Sequence, residues 1–387
     1  MSVFILVLGI ILFIGLIITH ELGHFWVARR NGVVAEEFGI FFPPKLYKKK
    51  TKKGWVFSIN LLPLGGFVKL KGEHDSDTEP GSFGAATTWV KSKIMVAGVA
   101  VNFVTAVVLL IILAWIGLPQ IIPNQFDISS ASSPANHAVL VTSVLSHSPA
   151  QSIGIKSKDV IVALGKTGHT SSVKSLSDLQ HLTKQYAGQK VQVVFSNNGK
   201  QITKSVRLLS SSVVKASLNT NNPEGYLGIS SMEFTQYSWW AGPIEGVGLT
   251  LQIIKLTFIG LGHALAGLGQ MIGGLITGNT VARQHGQKIA SSQVAGPVGI
   301  FVILKDGSAL GIQFMLFIVA IIALTLAIMN ILPLPALDGG RLWTMLISRW
   351  LHKPLSASLE EAINAVGMLI LIAIIILVTL VDVHRFL

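Results

Sequence analysis

The residues most suited to chemistry form one short run, Thr19-His20-Glu21-Leu22-Gly23-His24. In an α-helix, residues four apart differ by about 40° around the axis and ~6 Å along it, so the imidazoles of His20 and His24 face the same side. This spacing suits two ligands of one Zn²⁺, with Glu21 beside them as a base for a metal-bound water. H-E-x-x-H also occurs by chance, and the three side chains could instead satisfy one another inside a helix bundle.

The segment that carries this run is predicted to span a membrane. Residues 3–18 are almost wholly apolar, and ionisable groups on such a helix are costly and usually functional. Arg29 and Arg30 end the segment and indicate a cytoplasmic end, which leaves the N-terminus outside. The segment has no basic leader and no small-residue cleavage site, so we expect it to be retained rather than removed as a signal peptide.

Composition favours a membrane protein that binds no nucleic acid. Half of the residues (50%) are hydrophobic, only 12% are charged, and the mean hydropathy is +0.62. The net charge of +12 is compatible with nucleic acid, but the densest basic run, Lys48-Lys49-Lys50-Thr51-Lys52-Lys53, lies between two apolar spans and suits a cytoplasmic loop beside anionic lipid. The chain has no cysteine, so a metal site must use His, Asp or Glu.

The predicted fold is a polytopic α-helical membrane protein with four spans, a membrane-associated β-hairpin and one extracytoplasmic α+β domain. The predicted regions are a first span at 1–30, a cytoplasmic loop with a membrane-dipping β-hairpin at 31–93, a second span at 94–118, the α+β domain at 132–232, an interfacial or re-entrant glycine-rich region at 239–305, a third span at 313–341 and a fourth span at 362–381.

Two of these regions contain predicted strands. Residues 54–60 and 65–70 read as a hairpin around Leu62-Pro63-Leu64. Its free edge could hold an extended peptide by strand addition, although a simple surface hairpin has the same pattern. In the α+β domain, the sequence predicts strands at 139–144, 160–164 and 191–195 and a helix at 174–186.

A catalytic zinc usually has three protein ligands plus water, so a third ligand is needed. Asp338 is the candidate, because it is the one carboxylate in a stretch where Pro333 and Pro335 break the helix at membrane depth. It reaches the same membrane side as His20 and His24 only if the glycine-rich segment 239–278 does not cross. The metal hypothesis therefore predicts that this segment lies in the interface or re-enters. The basic residues that follow Asp338 agree with a cytoplasmic position: Arg341, Arg349 and Lys353.

Taken together, these residues resemble the site-2 protease family of intramembrane zinc metalloproteases, and within it the bacterial regulator-of-sigma-E type. The resemblance covers nearly the whole chain. It rests on His20-Glu21-Leu22-Gly23-His24, Pro63-Leu64-Gly65-Gly66-Phe67-Val68-Lys69, Gly296-Pro297-Val298-Gly299-Ile300, and Asn330 through Asp338-Gly339-Gly340-Arg341.

The resemblance implies roles for single residues. The positions matching His20, His24 and Asp338 bind zinc in the family, and the position matching Glu21 is the catalytic base. Asn330 is expected to contact substrate, although it could instead satisfy backbone groups freed by the prolines. The segment 55–70, with Gly65, Gly66 and Phe67, is expected to form the family's membrane-dipping β-loop beside the substrate.

The outer domain resembles a PDZ module. Ser148-Pro149-Ala150, Gly154-Ile155 and Asp159-Val160-Ile161 follow its usual pattern, and Gly225-Tyr226-Leu227-Gly228-Ile229 resembles its peptide-binding strand. Two features depart from the family. Lys156-Ser157-Lys158 lacks the Pro-Gly turn common before that Asp, and only one such domain is evident where the best-known members carry two.

The expected function is zinc-dependent cleavage of transmembrane segments of single-span proteins, such as anti-sigma factors or remnant signal peptides. The expected setting is the bacterial inner membrane, with both termini extracytoplasmic and with an upstream site-1-type protease making the first cut. One alternative is an inactive membrane scaffold that binds partners through its PDZ domain. A second is a zinc transporter, which would more typically show repeated halves.

Overall fold

Eleven α-helices account for most of the described chain. A computed structural model describes residues 2–134, 139–197, 199–217, 224–293, 296–353 and 356–386. The helices in this part are α1 (Ser2–Arg30), α2 (Thr88–Ile116), α3 (Pro149–Ser152), α4 (Leu176–Gln185), α5 (Ser211–Ser217), α6 (Ala241–Thr277), α7 (Thr280–Gln293), α8 (Pro297–Ser308), α9 (Ile312–Ile331), α10 (Asp338–Trp350) and α11 (Ala357–Phe386).

The described residues also form three β-sheets. One sheet follows α1, one builds the α+β domain between α2 and α6, and a small one joins that domain to the helices. The strands are β1 (Ala35–Lys50), β2 (Val56–Leu70), β3 (Leu118–Pro119), β4 (Ser132–Pro134), β5 (Val139–Val144), β6 (Val160–Lys166), β7 (His169–Ser172), β8 (Lys190–Asn197), β9 (Lys200–Arg207), β10 (Ile229–Met232) and β11 (Phe234–Tyr237).

The protein is a multi-pass membrane protein with a β-rich domain. Among the described residues, five helices are long and apolar enough to cross a membrane: α1, α2, α6, α9 and α11. Four of them lie where the sequence predicts spans, and the fifth, α6, contains the glycine-rich segment. Leu118 of β3 and Phe317 of α9 belong to one buried cluster. The strand β3, which directly follows α2, also contacts α9.

The segment after α1 differs from the predicted two-stranded hairpin. Residues 35–50, predicted to be loop, form the long strand β1, and both predicted strands belong to a single strand, β2. Residues 37–40 pair with 56–59 on one side and with 66–69 on the other. The two predicted runs therefore pair with β1 rather than with each other. The run 66–70 has no second pairing partner among the described residues, so it is an edge of this sheet.

A carboxylate holds the middle of this sheet. Glu37 is buried, and it accepts hydrogen bonds from Lys45 Nζ at 2.7 Å and from Ser58 Oγ at 2.6 Å. Burial acts to raise the pKa of the Glu37 carboxyl, but the bonds from Lys45 and Ser58 outweigh burial and lower that pKa below its usual value. The ionised form of Glu37 therefore joins the two parts of β1 to β2.

The α+β domain contains a sheet in the order β10-β5-β6-β8-β9, with β7 paired to β6 and α4 packed on one face. Its strands β5, β6 and β8 include the three predicted ones, and α4 lies within the predicted helix. Lys158 has a φ of +78° at the turn that lacks Pro-Gly. Asp159 stabilises this turn, because its Oδ2 accepts a hydrogen bond from Lys156 N at 2.9 Å and its Oδ1 accepts one from Asn197 Nδ2 at 2.7 Å.

The motif Gly296-Pro297-Val298-Gly299 begins α8 and contacts the far end of α11. The Oδ2 of Asp382, which is only 1% exposed, accepts from the backbone N–H of Gly296 at 2.8 Å and of Gly299 at 2.7 Å. First-turn N–H groups have no partner within a helix and need an outside acceptor. Asp382 supplies it and joins α11 to α8.

We expect Asp382→Ala to lower the free energy of unfolding by about 1–3 kcal/mol, because two buried N–H groups lose their acceptor. Denaturant unfolding of the purified protein in detergent measures this. Asp382→Asn is the control, since it keeps an oxygen in the same place and asparagine caps helices as well as aspartate does. An alanine variant as stable as the parent protein would contradict the proposed capping.

Candidate metal centre

Two histidines from α1 and one aspartate from α10 meet in the bundle. His20 and His24 are each 8% exposed. The Oδ2 of Asp338 lies 3.0 Å from the Nε2 of His20 and 3.1 Å from the Nε2 of His24, and the two Nε2 atoms are 3.2 Å apart. Among the described residues, no other three His, Asp or Glu side chains come close enough to share an ion.

Asp338 reaches the histidines because the chain turns back sharply after α9. The helix ends at Ile331, and Ala336 adopts a φ of +74° before α10 begins. A Cβ on Gly339 would lie 2.2 Å from Leu332 O, and one on Gly340 would lie 2.2 Å from Leu334 O. Both positions therefore exclude any side chain, and this close return places Asp338 at the start of α10.

The three atoms fit a zinc ion in both type and spacing. Ligands about 2.0–2.2 Å from a tetrahedral Zn²⁺ are roughly 3.3–3.5 Å apart, close to the observed separations. Two imidazoles and one carboxylate also form a donor set that zinc accepts, and three protein ligands leave a fourth position for water or substrate. The donor set can therefore hold a catalytic rather than a closed structural zinc.

The helix α2 forms the wall behind the imidazoles. A Cβ on Gly98 would lie 2.4 Å from His24 Nε2 and 2.7 Å from His20 Nδ1, so only glycine allows this approach. The backbone carbonyl of Ile94, one turn earlier, lies 2.7 Å from His24 Nδ1. Neither contact was predictable from the sequence pattern: a small residue on an apolar helix indicates a close approach, but it does not indicate which helix approaches.

The glutamate of the motif lies against the edge of the β1–β2 sheet. A Cβ on Gly66 would lie 2.9 Å from Glu21 Cγ, so the backbone of β2 passes beside this side chain. The residues on either side of Gly66 have other neighbours. The Phe67 ring covers Gly39 of β1, and Gly65 lies next to the Phe42 ring. Gly66 is therefore the predicted substrate-binding residue of this strand that the structure brings to Glu21.

Asn330 lies in the last turn of α9, just before the chain breaks. It is partly exposed, and within the described part of the chain its side chain makes no hydrogen bond. The alternative role predicted for it, satisfying backbone groups near the prolines, therefore has no supporting contact among the described residues.

A histidine pair and a carboxylate in a bundle of apolar helices, with a glutamate between the histidines, define a membrane metalloprotease centre. The family model of Peptidase family M50 matches residues 8–374, and the chain belongs to this family. This family confirms the predicted enzyme class, a metalloprotease, and the relatives that follow, named as zinc metalloproteases, confirm the predicted zinc cofactor.

Relatives named as zinc metalloproteases match over almost their full lengths. A protein of Clostridium perfringens so named is 29% identical over 379 residues, which cover 98% of each chain. The zinc metalloprotease RasP of Geobacillus kaustophilus is 24% identical in an alignment that is 458 positions long with its gaps and covers 97% of each chain. RasP of Bacillus licheniformis is 23% identical in an alignment that is 464 positions long with its gaps and covers 99% of this chain and 98% of the relative.

We expect Gly98→Ala to lower the rate of peptide cleavage by about a hundredfold, because the added methyl displaces imidazoles and displacements near 1 Å have effects of this size. The affinity for zinc should fall in parallel, and titration with a chelator measures it. Gly15→Ala is the matched control: it also lies on an apolar helix, but a Cβ there meets nothing within 4 Å. Equal activity of the two variants would exclude a role for the close approach of α2.

Proposed function

We propose that this protein is a zinc-dependent intramembrane endopeptidase that cleaves the transmembrane segments of single-span membrane proteins. One observation carries the proposal: an Asp338 oxygen lies within 3.1 Å of both imidazole Nε2 atoms, on helices of an apolar bundle. The substrates are proteins such as anti-sigma factors or remnant signal peptides, after an upstream site-1-type protease has made a first extracytoplasmic cut. The location is the bacterial inner membrane.

His20, His24 and Asp338 are the proposed zinc ligands, and Glu21 is the proposed catalytic base. When bound, Zn²⁺ supplies Lewis acidity for the attacking water and the peptide carbonyl. Glu21 accepts the proton of the attacking water and returns it to the leaving amine. Its place between the two histidines on α1, and outside the set of three ligands, supports this division of roles.

The proposed substrate site is the edge of β2 next to Glu21. A transmembrane helix keeps its amides in internal hydrogen bonds, so the substrate must unwind before cleavage. An edge strand can hold the extended form through backbone hydrogen bonds. The approach of Gly66 to Glu21 supports this role for Gly66, and its neighbours Gly65 and Phe67 are proposed to contribute backbone groups. Asn330, whose side chain makes no hydrogen bond within the described part of the chain, is proposed to bind the substrate backbone.

The outer domain is proposed to be a PDZ domain that filters substrates after the first cut. Support comes from β10, which is an edge strand among the described residues and begins at Ile229, the last residue of the Gly225–Ile229 run. A cavity of about 730 Å³ lies between this strand, α4 and the chain that follows β3. Leu176, Gln180, Ser230 and Met232 line it. Such a groove takes a peptide by strand addition.

The proposed topology has four crossings, with both termini extracytoplasmic. In support, α6 stays near the outer loop for several turns: Gln252 Nε2 donates to Asn124 O at 2.8 Å, and Phe126 N donates to Gln252 Oε1 at 2.6 Å. Ile5 of α1 and Leu304 of α8 share one cluster, and Asp382 of α11 contacts the start of α8. A reporter fused after Lys305 should then be extracytoplasmic; a cytoplasmic signal would overturn the topology.

Cleavage of a model transmembrane substrate by the purified protein tests the function. One zinc per chain and chelator-sensitive cleavage are the expected results. Zinc without cleavage, combined with peptide capture by the outer domain, would support the inactive scaffold instead. Zinc flux across vesicles without cleavage would support a transporter.

A further inference from the structure

The two proposed histidine ligands each turn their second ring nitrogen towards α2. For His24, that nitrogen is Nδ1, and it lies 2.7 Å from Ile94 O. A carbonyl oxygen only accepts, so Nδ1 of His24 must carry the hydrogen and Nε2 keeps its lone pair. Metal-binding histidines are usually held in this way by an acceptor behind the ring.

For His20, the corresponding partner is Asn102. His20 Nδ1 lies 3.3 Å from Nδ2 of the Asn102 side-chain amide, and Asn102 is 1% exposed and one turn beyond Gly98. Ile94, Gly98 and Asn102 are four residues apart, so they lie along one face of α2. The glycine allows the helix to approach, and the residues on either side of it reach the two imidazoles.

Metal binding decides which end of the Asn102 amide must face His20. If Nδ2 faces Nδ1, it donates to that nitrogen, and the ring hydrogen then sits on Nε2, where it blocks a metal. If Oδ1 faces Nδ1, it accepts the Nδ1–H and leaves the Nε2 lone pair towards Asp338. In the structure Nδ2 faces His20 Nδ1, and among the described residues Oδ1 is buried without any hydrogen-bond partner. Rotating the Asn102 amide by half a turn exchanges Nδ2 and Oδ1, and this exchange breaks no hydrogen bond made by Oδ1.

We propose that Asn102 is a positioning residue of the zinc site, whose Oδ1 accepts the Nδ1–H of His20 and holds its Nε2 towards the metal. The proposal rests on His20 being a zinc ligand, as proposed above. Asn102 touches neither metal nor substrate in this role. It sets the tautomer and the direction of one ring, as Ile94 O does for the other.

The test is the zinc dissociation constant of the full-length protein in detergent, measured by competition with a chelator. We expect Asn102→Leu, which has similar size and no acceptor, to raise the constant by about 10–100-fold. Asn102→Asp keeps the acceptor oxygen and loses the donor, so its constant should stay within about threefold of the parent value or fall. Thr105→Val is the control, because among the described residues the Thr105 hydroxyl bonds only to Val101 O within α2.

Two results would overturn the proposal: Asn102→Leu binding zinc like the parent, or Asn102→Asp losing as much affinity as Asn102→Leu, which would make Nδ2 the working atom. Thermal unfolding without metal shows whether the variants are folded. If Asn102→Asp does not fold, the zinc dissociation constant of Asn102→Leu by itself tests the proposal. His20→Ala separates this test from the proposed function: if it binds zinc normally, His20 is not a ligand and the ligand set itself is wrong.

Discussion

Glu21→Gln should abolish cleavage while zinc stays bound. Glutamine has the size of glutamate but cannot accept the proton of the attacking water. A positioned general base contributes about 10²–10⁴-fold, so the cleavage rate of a transmembrane substrate should fall by at least about a hundredfold. Glu21 lies outside the set formed by His20, His24 and Asp338, so the metal content should remain one zinc per chain. The two measurements are substrate cleavage and metal analysis of the same preparation.

The control for Glu21→Gln is Glu79→Gln, the same change at an exposed carboxylate. The Glu79 side chain is 74% exposed and pairs with Lys71 at the surface, where ion pairs contribute little. Its activity should match that of the parent protein. If Glu21→Gln cleaved at the parent rate, the proton would have to move through another group, and the proposed base would be wrong.

Asp338→Asn should remove the metal and the activity together. Asparagine keeps the shape of the side chain but has no negative charge for a cation held otherwise by neutral imidazoles. Loss of an outer partner of a ligand weakens metal binding by about 10–100-fold, so loss of a direct ligand should weaken it by more than a hundredfold. Zinc titration against a chelator measures the affinity, and substrate cleavage should disappear with the bound metal.

Asp306→Asn is the matched control for this change, because Asp306 is an exposed aspartate on α8. The comparison with Glu21→Gln is also informative: one variant should keep zinc without activity, and the other should lose both. Full zinc occupancy at parent affinity in Asp338→Asn would rule out this aspartate as the third ligand.

Much of the site could be predicted because its signals are local. The four-residue spacing of His20 and His24 puts both rings on one helix face whatever surrounds the helix. Two prolines spaced as Pro333 and Pro335 are exclude a regular helix, so the helix break before Asp338 is also predictable from the local sequence. The apolar runs predict α1, α2, α9 and α11 for the same reason, since burial in lipid depends on composition.

Contacts between distant segments were not predictable in the same way. Nothing within residues 35–50 indicates that this run pairs with both halves of β2, because strand partners depend on pairing across the fold. The Asp382 contact with α8 joins positions more than eighty residues apart, and no periodicity encodes it. The placement of Phe67 on Gly39, away from Glu21, is also a result of sheet register.

The sequence by itself determined the chemistry of this protein: which side chains can bind an ion, which can move a proton, and which segments are apolar enough for lipid. Those properties belong to single residues and to spacing along one helix. Tertiary structure alone decided that Asp338 meets the histidines, that Gly98 lets α2 close behind them and that Gly66 brings a strand edge to Glu21. These are distances between segments far apart in the chain, and they exist only once the helices and the sheet have packed together.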